Sequence, residues 1–148
     1  MRLWHIELLP VLPRQQLVGQ WRECHLIGKE ILFTGTPNHI LVDPIMDYPI
    51  EEFAIYWLEV RNEMLRRGYN VDERPLIEFC KDKNVSIDYI INEYILNNKQ
   101  LSIFDGWHNT RYFKQCVFNL QEKYDRGGMS EDEWKLIREL ASHKKHIL

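Results

Sequence analysis

Arg22 and Glu23 stand side by side near the start of the chain, and their side chains could do chemistry together with the amine that begins it. An α-amine titrates near ~8, so a useful fraction is a free nucleophile at neutral pH. A carboxylate can accept and return protons, and a guanidinium can grip a phosphate through paired N–H donors. Amine, carboxylate and guanidinium are together the parts needed to open a glycosidic bond through a Schiff base.

Those parts must be positioned by the segments around them. Residues 3–9 (LWHIELL) read as a short extended or irregular arm. A helix is expected from about residue 13 to residue 28 or a turn beyond, with Pro13 in its first turn, where a missing N–H costs nothing. On a wheel of about 100° per residue, Leu17, Trp21, Cys24 and Ile31 share the core-facing side, while Gln15, Gly19, Arg22 and Lys29 fall on the polar side. Glu23 sits at the edge of that polar face. Residues 33–50, with three prolines and a glycine, read as loop. Helices follow over 51–67, 75–83, 87–97, from Asn109 or Thr110 to 124, and 131–142, the last opened by a capping box of Ser130 and Glu133. No strand is expected. The pattern predicts an all-α, compact helical bundle with an irregular N-terminal arm, as a single domain over 1–148.

The bulk numbers agree with an ordinary globular chain. It has 148 residues, 45% hydrophobic and 28% charged, with five Trp, seven Tyr and six Phe. The formal net charge of −3 argues against a surface that clings to nucleic acid everywhere, yet leaves room for a local basic face. Cys24, Cys80 and Cys116 are odd in number and far apart, which reads as reduced, buried thiols in a cytoplasmic protein. The opening MRLWHIELLP is too short and too interrupted for a signal peptide or a membrane span.

Other groups deserve weighing against the first. Gly19 lies one turn before the Arg-Glu pair and angularly between its members. A glycine on the solvent side of a helix costs about 1 kcal/mol, which close approach of a nucleic acid strand would justify; the alternative is a solvated face with an incidental small residue. Arg61, Arg66 and Arg67 gather toward the end of the 51–67 helix. Arg111, Lys114 and Phe118 share one face of the 110–124 helix, suited to phosphates and an unstacked base. The alternative is that Phe118 packs under a neighbour and the two cations are ordinary solubilising charges. His143 and His146 have i,i+3 spacing, but no Cys, Asp or Glu completes a metal set, so no metal site is expected. His5 could lie near the amine, and His39 sits in the loop. The phosphate-loop, dinucleotide, zinc-protease and nucleophilic-serine motifs are all missing from the sequence.

The run Leu12-Pro13-Arg14-Gln15-Gln16-Leu17-Val18-Gly19-Gln20-Trp21-Arg22-Glu23 resembles the first-helix signature of the pyrimidine dimer DNA glycosylases, the phage endonuclease V type. That signature reads roughly L-x-x-Q-x-L-x-small-x-aromatic-R-E, at the same distance from the start. The opening MRLWH and the phrase LPRQQL look like the bacterial branch. Asn62-Glu63-Met64-Leu65-Arg66-Arg67-Gly68-Tyr69 is similar to the family's second-helix ending, and residues 109–123 resemble a C-terminal helix of bacterial members.

The resemblance implies a repair enzyme for ultraviolet-damaged duplex DNA, without metal or organic cofactor, expected as a monomer and away from membranes. It implies glycosylase and AP-lyase activity through an imine and β-elimination. Glu23 would be the catalytic carboxylate, and Arg22 a DNA contact. Arg14, Gln15, Gly19, Lys29, Arg111 and Lys114 join Arg22 as candidate DNA-binding residues. The chain departs from the family at four points. Arg2 stands where phage members expose a small Thr, so the amine is expected from Met1, or from Arg2 if processed. Leu26 replaces a basic residue, with His25 or Lys29 as substitutes. The tail 142–148 is basic but lacks an aromatic ring, and the net charge is acidic for a duplex scanner. The rival reading is a helical nucleic-acid- or protein-binding module that keeps the fold without the chemistry.

Overall fold

The computed structural model describes residues 1–96 and 102–144. Six α-helices carry the fold: α1 Arg14–Thr34, α2 Ile50–Arg66, α3 Arg74–Asp82, α4 Ile87–Ile90, α5 Thr110–Asp125 and α6 Glu131–His143. Among the described residues there is no strand, so the fold is all-α as expected.

Two segments read as irregular are in fact wound as 3₁₀-helix. Ile6–Val11 is closed at its start by His5, whose Nδ1 accepts the Glu7 N–H at 3.2 Å. Asp43–Asp47 interrupts the proline-rich loop, with Pro44 near its start and the Asp43 carboxylate accepting the His39 N–H at 2.9 Å. Short i→i+3 turns tolerate proline where a longer helix would lose a bond, which is why the prolines of residues 33–50 concealed the second of them.

α1 outruns its predicted end. Gly28 is an interior contact point, not a terminus: a Cβ there would lie 2.7 Å from Trp57 Cζ3. The true stop is Gly35, at φ 86°, whose N–H reaches back to Ile31 O at 2.8 Å. α2 begins and ends within a residue of expectation and is closed by Gly68 at φ 81°. The continuous helix expected over 87–97 is instead the single turn of α4 widened into a π-turn at Ile91–Ile95; residue 97 lies outside the described residues. The Ser130–Glu133 capping box forms as read.

α1 packs on α2 and α3, and α5 packs on α6. The N-terminal 3₁₀ segment lies against α2 and α6. Phe53, Trp57 and Phe79 are fully or almost fully buried where α1, α2 and α3 meet. Cys24, Cys80 and Cys116 are all buried free thiols. Among the described residues, no helix is long and apolar enough to cross a membrane.

Candidate active site where the N-terminal arm meets α1

The first residues are apolar and mostly buried, so their backbone polar groups need partners inside the fold. Helices far apart in sequence supply them. The Trp4 N–H donates to Gln20 Oε1 at 2.7 Å, and Gln20 Nε2 donates to the Arg2 carbonyl at 2.9 Å. The Tyr56 hydroxyl of α2 donates to the Trp4 carbonyl at 2.6 Å, and the Tyr112 hydroxyl of α5 to the Leu3 carbonyl at 2.6 Å. His108 Nδ1 accepts the Ile6 N–H at 3.0 Å. Arg67, at the end of α2, donates to the Leu9 and Pro10 carbonyls at 3.3 Å each.

These bonds deliver the start of the chain to the Arg-Glu pair. The Arg2 amide N–H points to Glu23 Oε2 at 3.4 Å, and Met1, one residue before it, is 40% exposed. Glu23 is half-buried while Arg22 is exposed. The Arg2 guanidinium lies 5.4 Å over the Trp4 ring and beside the Tyr112 hydroxyl and the Cys116 thiol.

The buried tyrosines and histidines that hold the arm are polar but uncharged. Burial pushes the Tyr56 and Tyr112 hydroxyls well above their ordinary range, so both stay protonated donors. Burial pushes His5 down, and burial together with His5 pushes His108 down to about 2. The two rings stack with centroids 5.1 Å apart and are neutral at physiological pH.

Around this point the polar face of α1 is open. Arg14, Gln15 and Arg22, with Pro13, Val18, Gly128 and Glu133, line a cleft of about 470 Å³. A Cβ on Gly19 would meet nothing within 4 Å, so no contact inside the fold requires that glycine. Lys29 is exposed two turns beyond Arg22 and within about 20° of it round the helix. His25, the other substitute for the missing basic residue, is tucked between Trp21 and Trp57 at 4.6 and 5.6 Å. Burial lowers its pKa, so it is neutral at physiological pH, while Lys29 is exposed.

Not every candidate gathers here. α5 reaches the arm through Tyr112 and Cys116, whereas Arg111, Lys114 and Phe118 lie roughly 120° to 180° round that helix, all exposed. Phe118 is 63% exposed, so it does not pack under a neighbour. Arg61 pairs with Glu73 at 2.6 Å, and Arg66 and Arg67 both pair with Glu63; these cations brace α2 rather than offering a free basic cluster. His5 is buried within the arm, His39 stays in its loop, His143 bonds the Glu139 carbonyl, and residue 146 lies outside the described residues. Among the described residues no three His, Cys, Asp or Glu side chains are grouped to hold a metal ion.

The sequence reading missed Gln20, Tyr56, His108 and Tyr112. Gln20 left a trace: it lies within about 40° of Cys24, Ile27 and Ile31 round α1, a lone amide in the middle of the apolar stripe. The other three have ordinary patterns, and only the tertiary fold aims them at the arm.

Among known protein families, the one described as "Pyrimidine dimer DNA glycosylase" matches residues 1–75, about half of the chain. The matched stretch contains the arm, α1, α2 and the start of α3. No curated protein and no solved structure matches the chain.

Proposed function

The chain belongs to the pyrimidine dimer DNA glycosylase family, and from that premise we propose that it excises ultraviolet pyrimidine dimers, or a related base lesion, from duplex DNA and then nicks the strand. The observation that carries this reading is the 3.4 Å approach of the Arg2 amide to the Glu23 carboxylate, which puts the Met1 amine one residue from that carboxylate. In this reading the chain works as one domain and as a monomer.

The amine of Met1 attacks C1′ of the damaged nucleotide. The bond from C1′ to the base breaks, the base takes up the proton that the attacking nitrogen sheds, and in a dimer that base stays joined to its neighbouring pyrimidine. Glu23, as an acid, supplies a proton to the ring oxygen as the sugar opens, leaving an imine between the amine and C1′. As a carboxylate it then removes a proton from C2′, and the 3′ phosphate leaves by β-elimination. Water hydrolyses the imine and frees the amine. Arg22 and Lys29 grip phosphates along the open face of α1, and the bare surface at Gly19 lets the backbone of a distorted duplex come close. The acidic net charge is compatible with this, because affinity follows the local array of cations, not their sum.

Borohydride trapping on dimer-containing duplex is the test, with the native terminus defined by mass spectrometry. A covalent adduct at the N-terminal residue is expected, and an untagged, free-amine preparation that gives none removes the enzymatic claim. An N-terminal extension should abolish turnover; unchanged turnover would show that another group is the nucleophile. Glu23→Gln should lower strand cleavage by at least ~10²-fold with the helix content unchanged. Full activity in that variant would take Glu23 out of the mechanism.

A further inference from the structure

Gln20 is 1% exposed and makes contacts on every side of its amide. Its Oε1 accepts the Trp4 N–H at 2.7 Å and lies 2.9 Å from the Tyr56 hydroxyl. Its Nε2 donates to the Arg2 carbonyl at 2.9 Å and to Glu23 Oε2 at 3.3 Å. The amide cannot be turned round, because the Trp4 N–H needs an acceptor and the Arg2 carbonyl needs a donor. One side chain therefore holds both the segment that carries the amine and the carboxylate the amine would work with.

The two carboxylate oxygens of Glu23 are left unequal. Oε2 receives the Gln20 Nε2–H and the Arg2 amide N–H, at 3.3 and 3.4 Å. Both are N–H donors, so Oε2 is engaged as an acceptor on the protein side. We propose that Gln20 is a positioning residue for the reaction: it keeps Glu23 Oε2 as a fixed acceptor, commits Oε1 to proton transfer, and fixes the distance between that carboxylate and the arm. The proposal rests on the reading given under Proposed function.

The groups around Glu23 come from four directions. The arm contributes Arg2; α1 itself contributes Arg22 and the Cys24 thiol; α2 contributes the Tyr56 hydroxyl; and α5 contributes Tyr112 and Cys116, through Arg2. Cys24, Tyr56, Tyr112 and Cys116 are all pushed upward by burial and stay neutral. Against that background, loss of the Gln20 donor leaves Oε2 with the Arg2 amide of these two donors.

The experiment compares wild type with Gln20→Met, which keeps the length and removes the hydrogen bonds. Three quantities are read: the single-turnover rate on dimer-containing duplex, the affinity for the same duplex, and the carboxyl-carbon NMR shift of Glu23 at one pH, assigned with Glu23→Gln. In Gln20→Met the Glu23 carboxyl resonance should move from its wild-type position, because the Gln20 donor to Oε2 is gone. The rate should fall by ~10²-fold, the scale of a misplaced catalytic group, with affinity changed less than about threefold. A carboxyl resonance that superimposes on wild type, or a loss that lies wholly in affinity, overturns the proposal.

If Gln20→Met fails to fold, the side-chain amide resonances of Gln20 in wild type decide the matter. They should shift in Glu23→Gln, which changes the oxygen they donate to; amide shifts identical in the two proteins overturn it. If wild type forms no borohydride adduct, the reaction itself is misread, and the NMR comparisons still settle what Gln20 does to Glu23.

Discussion

At Gly19 and Gln20, adjacent residues on α1, the helix makes opposite departures from an ordinary amphipathic pattern. Gly19 gives up helix stability with no contact in the fold to require it. Gly19→Ala should therefore raise stability by up to ~1 kcal/mol. In a chain of this size that is roughly 2–4 °C in Tm. The same variant should weaken binding to duplex DNA; tighter or unchanged binding would show that no strand approaches there. Arg22 and Lys29 are tested by salt. Replacing either with Ala should weaken binding to all duplexes and flatten the slope of log K against log salt by ~0.9, the share of one phosphate contact. Arg66, exposed but committed to Glu63, is the control and should leave the slope unchanged.

α1 was legible as a helix with the right core face, and its length was not. A glycine after an amphipathic stretch reads as a stop, and only the packing of α1 on α2 shows that Gly28 makes room for the Trp57 ring. Gly28→Ala tests this. The added methyl would overlap ring carbons at 2.7 and 2.9 Å, and should cost about 1–3 kcal/mol, read as a lower Tm. An unchanged or raised Tm would show that α1 and α2 can separate without strain. α6 was legible to within a residue, because the Ser130–Glu133 reciprocal bonds are local and need nothing from the rest of the chain. The arm was misread for the converse reason: its course past α1 depends on partners in α1, α2 and α5 and on His108.

The largest pH response of the whole molecule should come from the buried His5–His108 stack at that arm. Both rings titrate below their unfolded value of ~6.5, so the unfolded chain binds more protons as the medium is acidified. Stability should be full above about pH 6.5 and decline as pH falls below it, before most carboxylates titrate. Thermal unfolding from pH 8 to 5 reads this. His108→Asn, whose Oδ1 can still accept the Ile6 N–H, should flatten the decline; an unaltered slope would place the pH dependence elsewhere.

Taken by itself, the sequence determined the all-α class, the polar and apolar sides of α1, the caps, the free thiols and the family signature, because each is written in residues a few positions apart. Tertiary structure alone decided that the arm runs back past α1 and that Glu23 meets the Arg2 amide. It alone turned Arg61, Arg66 and Arg67 into braces and placed Arg111 and Lys114 away from the α5 face that touches the arm. Those outcomes depend on buried polar groups finding partners up to a hundred residues away, and such pairings leave no period in the sequence to read.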